Sequence, residues 1–258
     1  MNHPTNETAS TGSVARRRPR WRVFAVIAAF VASGLAGRAV AASLLVNSDQ
    51  TTTENITGTS GAPTVYSWDN FDRVTTPLEG TASPGGLVWK PQIGTWPLNG
   101  TTVRTNTSNA DANVVMDLSV LDAAMVVTMF PVGANARPGL TFNDDGSNNM
   151  LLLYSSAGGG TLTLSTYFGT TRVFLASTAG VGAPGTSFEV RVVSLGPTIT
   201  VFVNGTLRLT QTLTGTNLCK FKDTGTGCTP DGRANVGFGL WADKDTVSFF
   251  DDFRLESA

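Results

Sequence analysis

The stretch that decides the fold class is Ile199-Thr200-Val201-Phe202-Val203-Asn204-Gly205-Thr206-Leu207-Arg208-Leu209. Apolar residues recur at alternate positions on both sides of Asn204-Gly205, which is the period of a half-buried β-strand. Asn and Gly tolerate the positive φ angles of a type I′ turn, whose twist matches that of the strands of a two-residue hairpin. The stretch therefore predicts a β-hairpin.

Similar patterns extend outward from this hairpin in both directions. Short alternating or apolar runs, separated by Gly, Asn and Asp, recur between Trp68 and Leu255, and no ten-residue stretch keeps a helical period. The low charged fraction of 14% and the 28 glycines also disfavour long helices and coiled coils. About ten strands without intervening helices predict an all-β fold, an antiparallel two-sheet sandwich or jelly roll.

The first 41 residues have the order of a secretory signal peptide. A basic block at residues 16–22 precedes an apolar run at residues 23–37 and the small-residue site Ala39-Val40-Ala41. The alternative is an uncleaved membrane anchor, but the run of about 15 residues is shorter than the roughly 20 that span a bilayer. We therefore expect cleavage and a secreted, extracellular or cell-envelope location.

Residues 42–65 are predicted to be a flexible linker, and residues 66–258 a single domain. The leader holds six Arg and one Glu, so the rest carries 18 − 6 = 12 basic and 19 − 1 = 18 acidic residues, a net charge of −6. Such a charge argues against nucleic acid or anionic lipid as a partner. Membrane contact is expected only through the signal segment before cleavage.

Six motifs, taken in order, resemble the concanavalin A-like lectin/glucanase superfamily in its laminin G-like jelly-roll form. They are Asp69-Asn70-Phe71-Asp72-Arg73, Trp89 with Gly94-Thr95-Trp96, Arg137-Pro138-Gly139-Leu140-Thr141-Phe142, Phe188-Glu189-Val190-Arg191-Val192, Ile199 to Gly205, and Phe250-Asp251-Asp252-Phe253. The resemblance covers roughly residues 66–258. It implies the jelly-roll fold, but not one activity, because this fold hosts lectins, adhesion modules and glycosidases.

The residue inventory limits catalysis. The only histidine is His3, which excludes Ser-His-Asp, Cys-His and His-based metal sites from the mature chain. Glucanases of the superfamily carry two Glu flanking an Asp on one strand, and no two mature glutamates here lie that close. Glu189 fits a solvated strand face. We predict a non-catalytic domain that binds a polysaccharide or glycan; a glycoside hydrolase using another Asp/Glu pair and a protein-binding adhesion or structural module remain open.

Aromatic residues outside the predicted core are the candidate ligand-binding groups, because sugars present C–H faces that stack on aromatic rings. They are Trp241, Tyr167, Phe168 and Phe202. Trp89 and Trp96 are instead predicted to be core residues. The alternative for the four candidates is that they are stray surface aromatics or lie beneath a loop.

Asp251 is the most informative carboxylate. It is in phase with four apolar residues of the last predicted strand, Val247, Phe249, Phe253 and Leu255. An Asp facing the core must be hydrogen-bonded, paired or bound to metal.

The superfamily resemblance implies that the first and last strands are neighbours. Asp69, Asp72 and Asp251 could therefore hold Ca²⁺ through hard oxygen ligands. The alternative is that Asp251 accepts backbone N–H bonds, or pairs with Arg73 or Arg137. Both possibilities make Asp251 a buried anchor.

The two cysteines, Cys219 and Cys228, lie nine residues apart. An even number of cysteines in an exported chain favours a disulfide between them. The alternative, a redox pair, would require a Cys-x-x-Cys motif, which is absent.

Overall fold

The computed structural model describes residues 62–73, 77–105, 111–156, 160–183, 185–222, 236–243 and 248–258. The predicted signal peptide, most of the predicted linker and Cys228 lie outside these ranges. Val65 begins the first strand, one residue before the predicted start of the domain.

Two antiparallel sheets contain fourteen strands in the described part of the chain, numbered here in chain order. Sheet I has the spatial order β1 (Val65–Asp69), β14 (Ser248–Glu256), β5 (Ala123–Pro131), β10 (Phe188–Leu195), β11 (Thr198–Val203) and β12 (Thr206–Thr212), with β3 (Val103–Arg104) paired to β14. Sheet II has the order β2 (Lys90–Ile93), β4 (Ala112–Asp117), β13 (Gly237–Ala242), β6 (Pro138–Asp144), β7 (Asn149–Ser155), β8 (Thr161–Phe168) and β9 (Thr171–Ala179). The predicted all-β jelly-roll sandwich is confirmed.

The hydrophobic core lies between the two sheets and is built from alternate strand residues. Val114, Phe238 and Leu240 of sheet II are fully or almost fully buried there. Trp89 and Trp96 are 0% exposed, which confirms that both are core residues. The Trp89 ring lies 4.9 Å from that of Phe253, so the segment before β2 packs directly against the last strand.

The hairpin that first indicated the fold joins β11 to β12. Asn204 has φ +47° and Gly205 has φ +74°, as the predicted type I′ turn requires. The two strands pair in antiparallel register on either side of this turn.

The prediction of no helices is wrong at one place, α1 (Gly215–Lys222). Eight residues are about two turns, too short to show a repeated apolar period in the sequence. Lys222 fixes this helix to the turn before β5, because its Nζ donates to the Leu121 carbonyl at 3.0 Å and to Asp122 at 2.8 Å. Cys219 lies in α1, and the Cys219–Cys228 disulfide stays a prediction.

Among the described residues, no helix combines the length and apolar character needed to cross a membrane.

The predicted inward orientation of Asp251 is wrong, because β14 contains a β-bulge. The register of β14 against β5 shifts between Asp251 and Arg254, and Asp252 adopts φ +52°. The extra residue lets Phe250 and Phe253, three positions apart, both reach the core. Asp251 is consequently only half-buried.

Candidate functional site

The candidate site is the outer face of sheet II, meaning the side that points away from sheet I. Five side-by-side residues define a row across it, one from each of β4, β13, β6, β7 and β8: Asn113, Trp241, Gly139, Tyr154 and Thr163. Their chain neighbours, such as Leu240 and Leu153, point into the core. Period-2 alternation therefore directs this row outward.

Trp241 is the centre of an aromatic cluster on this face. Gly139 is directly opposite Trp241, and a Cβ atom there would lie 2.9 Å from Trp241 Cε3. The missing side chain lets the indole lie against the sheet, where it is only 1% exposed. Met150 and Leu152 of β7 complete the buried part of the cluster.

Two half-buried tyrosines pack on this cluster and form its accessible surface. The Tyr154 ring centroid lies 5.7 Å from that of Trp241 at an interplanar angle of 56°. Tyr167 also packs against the cluster. The surface available to a ligand is therefore provided by tyrosines, with tryptophan beneath them.

A contact between distant strands indicates that the outer face of sheet II is concave. The side chain of Tyr167 on β8 lies close enough to that of Asp111, which immediately precedes β4, for the Asp111 carboxylate to raise the pKa of Tyr167. Four strand spacings separate β8 from β4, about 19 Å in a flat sheet, which two such side chains cannot span. The sheet must therefore curve toward its outer side.

The Tyr167 hydroxyl is affected by its position in this concavity. Burial raises the pKa of Tyr167, and the negative charge of Asp111 raises it further. The positive charge of Arg172 opposes this increase in pKa. Tyr167 is therefore a neutral hydroxyl at physiological pH and can donate a hydrogen bond.

Beside the aromatic cluster lies a buried polar group centred on Asp144. Its Oδ2 accepts a bond of 2.8 Å from Asn113 Nδ2, and its Oδ1 accepts one of 2.7 Å from the Gly146 N–H. Burial raises the pKa of Asp144, although these hydrogen bonds partly offset the increase. Asn113 Oδ1 is buried without a hydrogen-bond partner among the described residues.

Two arginines contribute positive charge to this region. Arg172 of β9 places its guanidinium carbon 4.8 Å from the centroid of the Tyr154 ring. Arg137, just before β6, pairs with Asp243 at 2.6 Å. The site thus combines an aromatic surface with positively and negatively charged groups that can form hydrogen bonds.

The structure brings together two of the four predicted ligand residues, Trp241 and Tyr167. Phe168 instead points toward the core, where its ring stacks on that of Phe221 at 5.1 Å. Phe202 lies on the outer face of sheet I, where its backbone pairs with Arg191. The four residues therefore do not form one site.

Sequence analysis missed Tyr154 and Arg172. Tyr154 ends the uninterrupted apolar run Met150–Tyr154, which shows no alternation that would assign its residues to faces. Arg172 is isolated in the sequence. The only available signal was the polar residue at every second position of β8, which indicates that one side of this sheet is not core.

The three predicted calcium ligands have different surroundings. Asp69 is buried and engaged: Arg73 donates to its two oxygens at 2.5 and 2.8 Å, and Trp89 Nε1 donates at 2.8 Å. Asp72 is exposed and accepts a hydrogen bond from Asn70.

The alternative partners proposed for Asp251 are also accounted for. Its Oδ1 accepts the backbone N–H of Asp252 at 2.8 Å, while Arg73 and Arg137 pair with other aspartates. In the described ranges, no group of three or more His, Cys, Asp or Glu residues could hold a metal ion. A calcium site at Asp69, Asp72 and Asp251 stays a prediction.

Solved structures share this architecture at low sequence identity. The carbohydrate-binding module CBM66 from Bacillus subtilis matches 70% of this chain and 97% of its own, with a TM-score of 0.53 and 14% identity. The Ca²⁺/Man3GlcNAc-bound exoplasmic/lumenal domain of VIP36 matches 74% of this chain and 90% of its own, with a TM-score of 0.50 and 12% identity.

A mutant of a GH43 protein, BlXynB from Bacillus licheniformis, matches 74% of this chain with a TM-score of 0.54 and 15% identity. The match spans only 39% of the length of BlXynB. No protein-family model matches the chain, and no curated protein sequence matches it. The structural matches confirm the concanavalin A-like jelly-roll fold, which is shared with carbohydrate-binding modules and lectins.

Proposed function

We propose that the chain is an exported, non-catalytic carbohydrate-binding domain and that the outer face of sheet II holds the glycan. The observation that carries this proposal is the aromatic cluster on the concave face, with Tyr154 and Tyr167 packed on Trp241. Glycan recognition requires ring surfaces for sugar C–H faces and a few fixed polar groups for sugar hydroxyls. Both are present here.

The rigidity of the tyrosines favours binding. Tyr154 contacts the Trp241 ring and the Arg172 guanidinium, and Tyr167 packs against the same aromatic cluster. Side chains that are already ordered lose little conformational entropy when a ligand binds. The two rings therefore offer a preformed surface rather than one that must be ordered by the sugar.

The described carboxylates of the site support a non-catalytic role. A glycosidase requires two carboxyl groups facing the scissile bond. Asp144 is buried and accepts a hydrogen bond from Asn113, Asp243 pairs with Arg137, and Asp111 lies within electrostatic range of Tyr167. Each is used in a structural contact, and the superfamily's Glu-x-Asp-type catalytic arrangement is absent from the sequence.

The comparisons and the leader supply further support. CBM66 is a carbohydrate-binding module, and the VIP36 domain was solved with Ca²⁺ and Man3GlcNAc bound. The basic block, apolar run and Ala39-Val40-Ala41 site favour export, where polysaccharides of the cell envelope or surroundings are available.

The test is affinity electrophoresis of the secreted protein through gels containing soluble polysaccharides, followed by calorimetry on those that retard it. Tyr154→Ala and Tyr167→Ala should each weaken binding at least about tenfold, or about 1.4 kcal/mol. Trp68→Ala is the matched control, because Trp68 is a 44% exposed aromatic on the opposite outer face. Loss of binding only in the Trp68 variant would show that the glycan binds the outer face of sheet I instead. Reducing-sugar release by the wild type would contradict a non-catalytic role.

Calcium is a separable part of the proposal. A calcium contribution predicts a higher melting midpoint in excess calcium than in chelator, because a ligand that binds only the folded state stabilises it. Identical midpoints would show that calcium does not bind the folded protein, and would leave the proposed sugar-binding face unaffected.

A further inference from the structure

We propose that Arg172 binds the carboxylate of an acidic sugar, so that the ligand is a glycan containing uronic acid. This inference rests on the proposed function, because Arg172 borders the same aromatic face. It goes further by assigning the chemical class of the sugar and the group that recognises it.

The first observation is the position of the guanidinium. Arg172 on β9 pairs in register with Tyr167 on β8, and its guanidinium carbon reaches to 4.8 Å from the Tyr154 ring centroid. The side chain therefore extends over the face between the two tyrosines that form the sugar-contacting surface. A guanidinium held against an aromatic ring is oriented before any ligand arrives.

The second observation is that no carboxylate in the described chain pairs with Arg172. Four other described arginines do have carboxylate partners: Arg73, Arg137, Arg191 and Arg254. Arg104 and Arg208 also form no ion pair with a described residue, but neither places its guanidinium over a described aromatic ring. Among the described arginines, Arg172 is the one that has no carboxylate partner and whose guanidinium lies against an aromatic ring.

The acids of the face do not supply the missing partner. Asp243 pairs with Arg137, and neither Asp243 nor Asp111 forms a described ion pair with Arg172. Asp144 is buried, and its oxygens accept from Asn113 and Gly146. The counter-charge for Arg172 can therefore be provided by the ligand.

A carboxylate matches the geometry of this group. The planar guanidinium has five N–H donors, and two parallel donors can bond the two oxygens of one carboxylate. A uronic acid carries its carboxylate on the same ring whose C–H face would stack on a tyrosine, so one sugar unit can satisfy both contacts. The net charge of −6 outside the leader disfavours unspecific attraction of polyanions. A preference for acidic sugars must therefore come from a local positive group such as Arg172.

The experiment compares matched ligands by calorimetry on the secreted protein. Polygalacturonate, alginate and hyaluronan oligosaccharides are each measured against their own carboxyl-reduced forms. At least one acidic form should bind about tenfold or more tightly than its reduced form. Arg172→Gln should abolish that preference, so that the acidic and reduced forms bind with equal affinity, with Arg172→Lys intermediate. Arg208→Gln is the control, an exposed arginine on β12 without an ion pair to a described residue.

Several outcomes would overturn the inference. Arg172 does not recognise a carboxylate if all three acidic sugars bind no better than their reduced forms. The same conclusion follows if Arg172→Gln weakens the binding of both forms equally. The proposed function then survives if Tyr154→Ala still abolishes binding of a neutral glycan, and fails if no glycan binds. Preference for dextran sulfate over dextran that persists in Arg172→Gln would instead indicate unspecific attraction of anions.

Discussion

The two outer faces of the sandwich both carry aromatic and charged residues, but they differ in how close together the aromatic residues lie. The outer face of sheet I also carries a cross-strand row, here called the sheet I row: Trp68, Arg254, Val126, Arg191, Phe202 and Leu207. Its aromatic residues are four strands apart, and Trp68 is 44% exposed at one end. On the outer face of sheet II, the rings of Tyr154 and Trp241 lie 5.7 Å apart.

The difference shows that curvature, rather than composition, produces the candidate site. Side chains on a face that curves inward converge, as the influence of Asp111 on the Tyr167 pKa across four strand spacings indicates. The aromatic side chains of the sheet I row remain spread across the strands. Among the described residues, the cation near the Phe202 ring is Arg191, whose guanidinium carbon lies 5.8 Å from the ring centroid.

Each outer face also contains one buried carboxylate, held in opposite ways. The side chain of Glu256 in sheet I is 4% exposed and accepts from Arg191 at 3.1 Å and Arg254 at 2.9 Å. Asp144 in sheet II is buried among neutral donors. The negative charge of Glu256 on sheet I is therefore balanced by two arginines, whereas the hydrogen bonds that Asp144 accepts on sheet II come from uncharged groups.

The largest expected effect is on the packing of the aromatic cluster. Gly139→Ala places a Cβ 2.9 Å from Trp241 Cε3 and 2.9 Å from the Leu153 carbonyl oxygen. Since the carbonyl belongs to the backbone, the indole has to move, and overpacking costs about 1–3 kcal/mol. Both the melting midpoint and glycan affinity should fall.

Gly160→Ala is the matched control, because a Cβ there meets nothing within 4 Å. If Gly139→Ala binds glycan as the wild type does, the Trp241 position is not required for the site, and the contrast between the faces is not functional.

The second effect tests the compensated carboxylate. Glu256→Gln leaves Arg191 and Arg254 without a negative partner, but both are partly exposed and regain water. We therefore expect a loss of about 1–2 kcal/mol in the free energy of unfolding by urea titration, below the cost of breaking a fully buried pair. Glycan affinity should not change. A weakened affinity would show that the sheet I row takes part in binding.

The third effect tests the uncompensated carboxylate and has the opposite sign. Because the pKa of Asp144 is raised in the folded state, folding favours its protonated form, and stability is lost as pH rises through that pKa. Asp144→Asn removes this pH-dependent loss of stability, because an amide does not ionise. Asn113 can also flip, so that its unpartnered Oδ1 accepts from the new amide.

We expect Asp144→Asn to match or exceed the wild type by up to about 1 kcal/mol near neutral pH, with the difference shrinking toward pH 4. Urea titrations across that pH range measure it. A variant less stable than the wild type near neutral pH would show that the ionised carboxylate is stabilising here.

Alternation was sufficient to predict the sandwich, the hairpin at Asn204-Gly205 and the outward direction of Trp241. It could not predict that Trp241 is covered, because covering depends on Tyr167 and Tyr154, which reach it only through the curvature of the sheet. It also failed for Asp251, where a bulge changes the phase within one strand. Long-range curvature and single-residue insertions leave no periodic trace in a sequence.

The smallest effect is expected at one of two bulges, one in each sheet of the described chain, in which a residue other than glycine has a positive φ. In β14 of sheet I it is Asp252 at φ +52°, and in β6 of sheet II it is Asn143 at φ +51°. Asp252 is exposed, so glycine would relieve backbone strain and lose no side-chain contact. The relief is offset by the larger entropy that glycine gives the unfolded chain, about 0.5–1 kcal/mol. We therefore expect Asp252→Gly to change the free energy of unfolding by less than about 0.5 kcal/mol.

Asn143→Gly is the informative partner of that variant, because the backbone change is the same and the surroundings differ. Asn143 is fully buried, donates to the Leu121 carbonyl at 2.9 Å and accepts from Ser194 Oγ at 2.9 Å. Removing its amide takes away the acceptor of the Ser194 hydroxyl and one of the two donors to the Leu121 carbonyl, to which Lys222 Nζ still donates, at a cost of about 1–3 kcal/mol. Urea titration of the pair separates backbone strain from buried hydrogen bonding. Equal losses in both variants would mean that the bulge conformation itself, and not what its side chain bonds, determines the stability of each sheet.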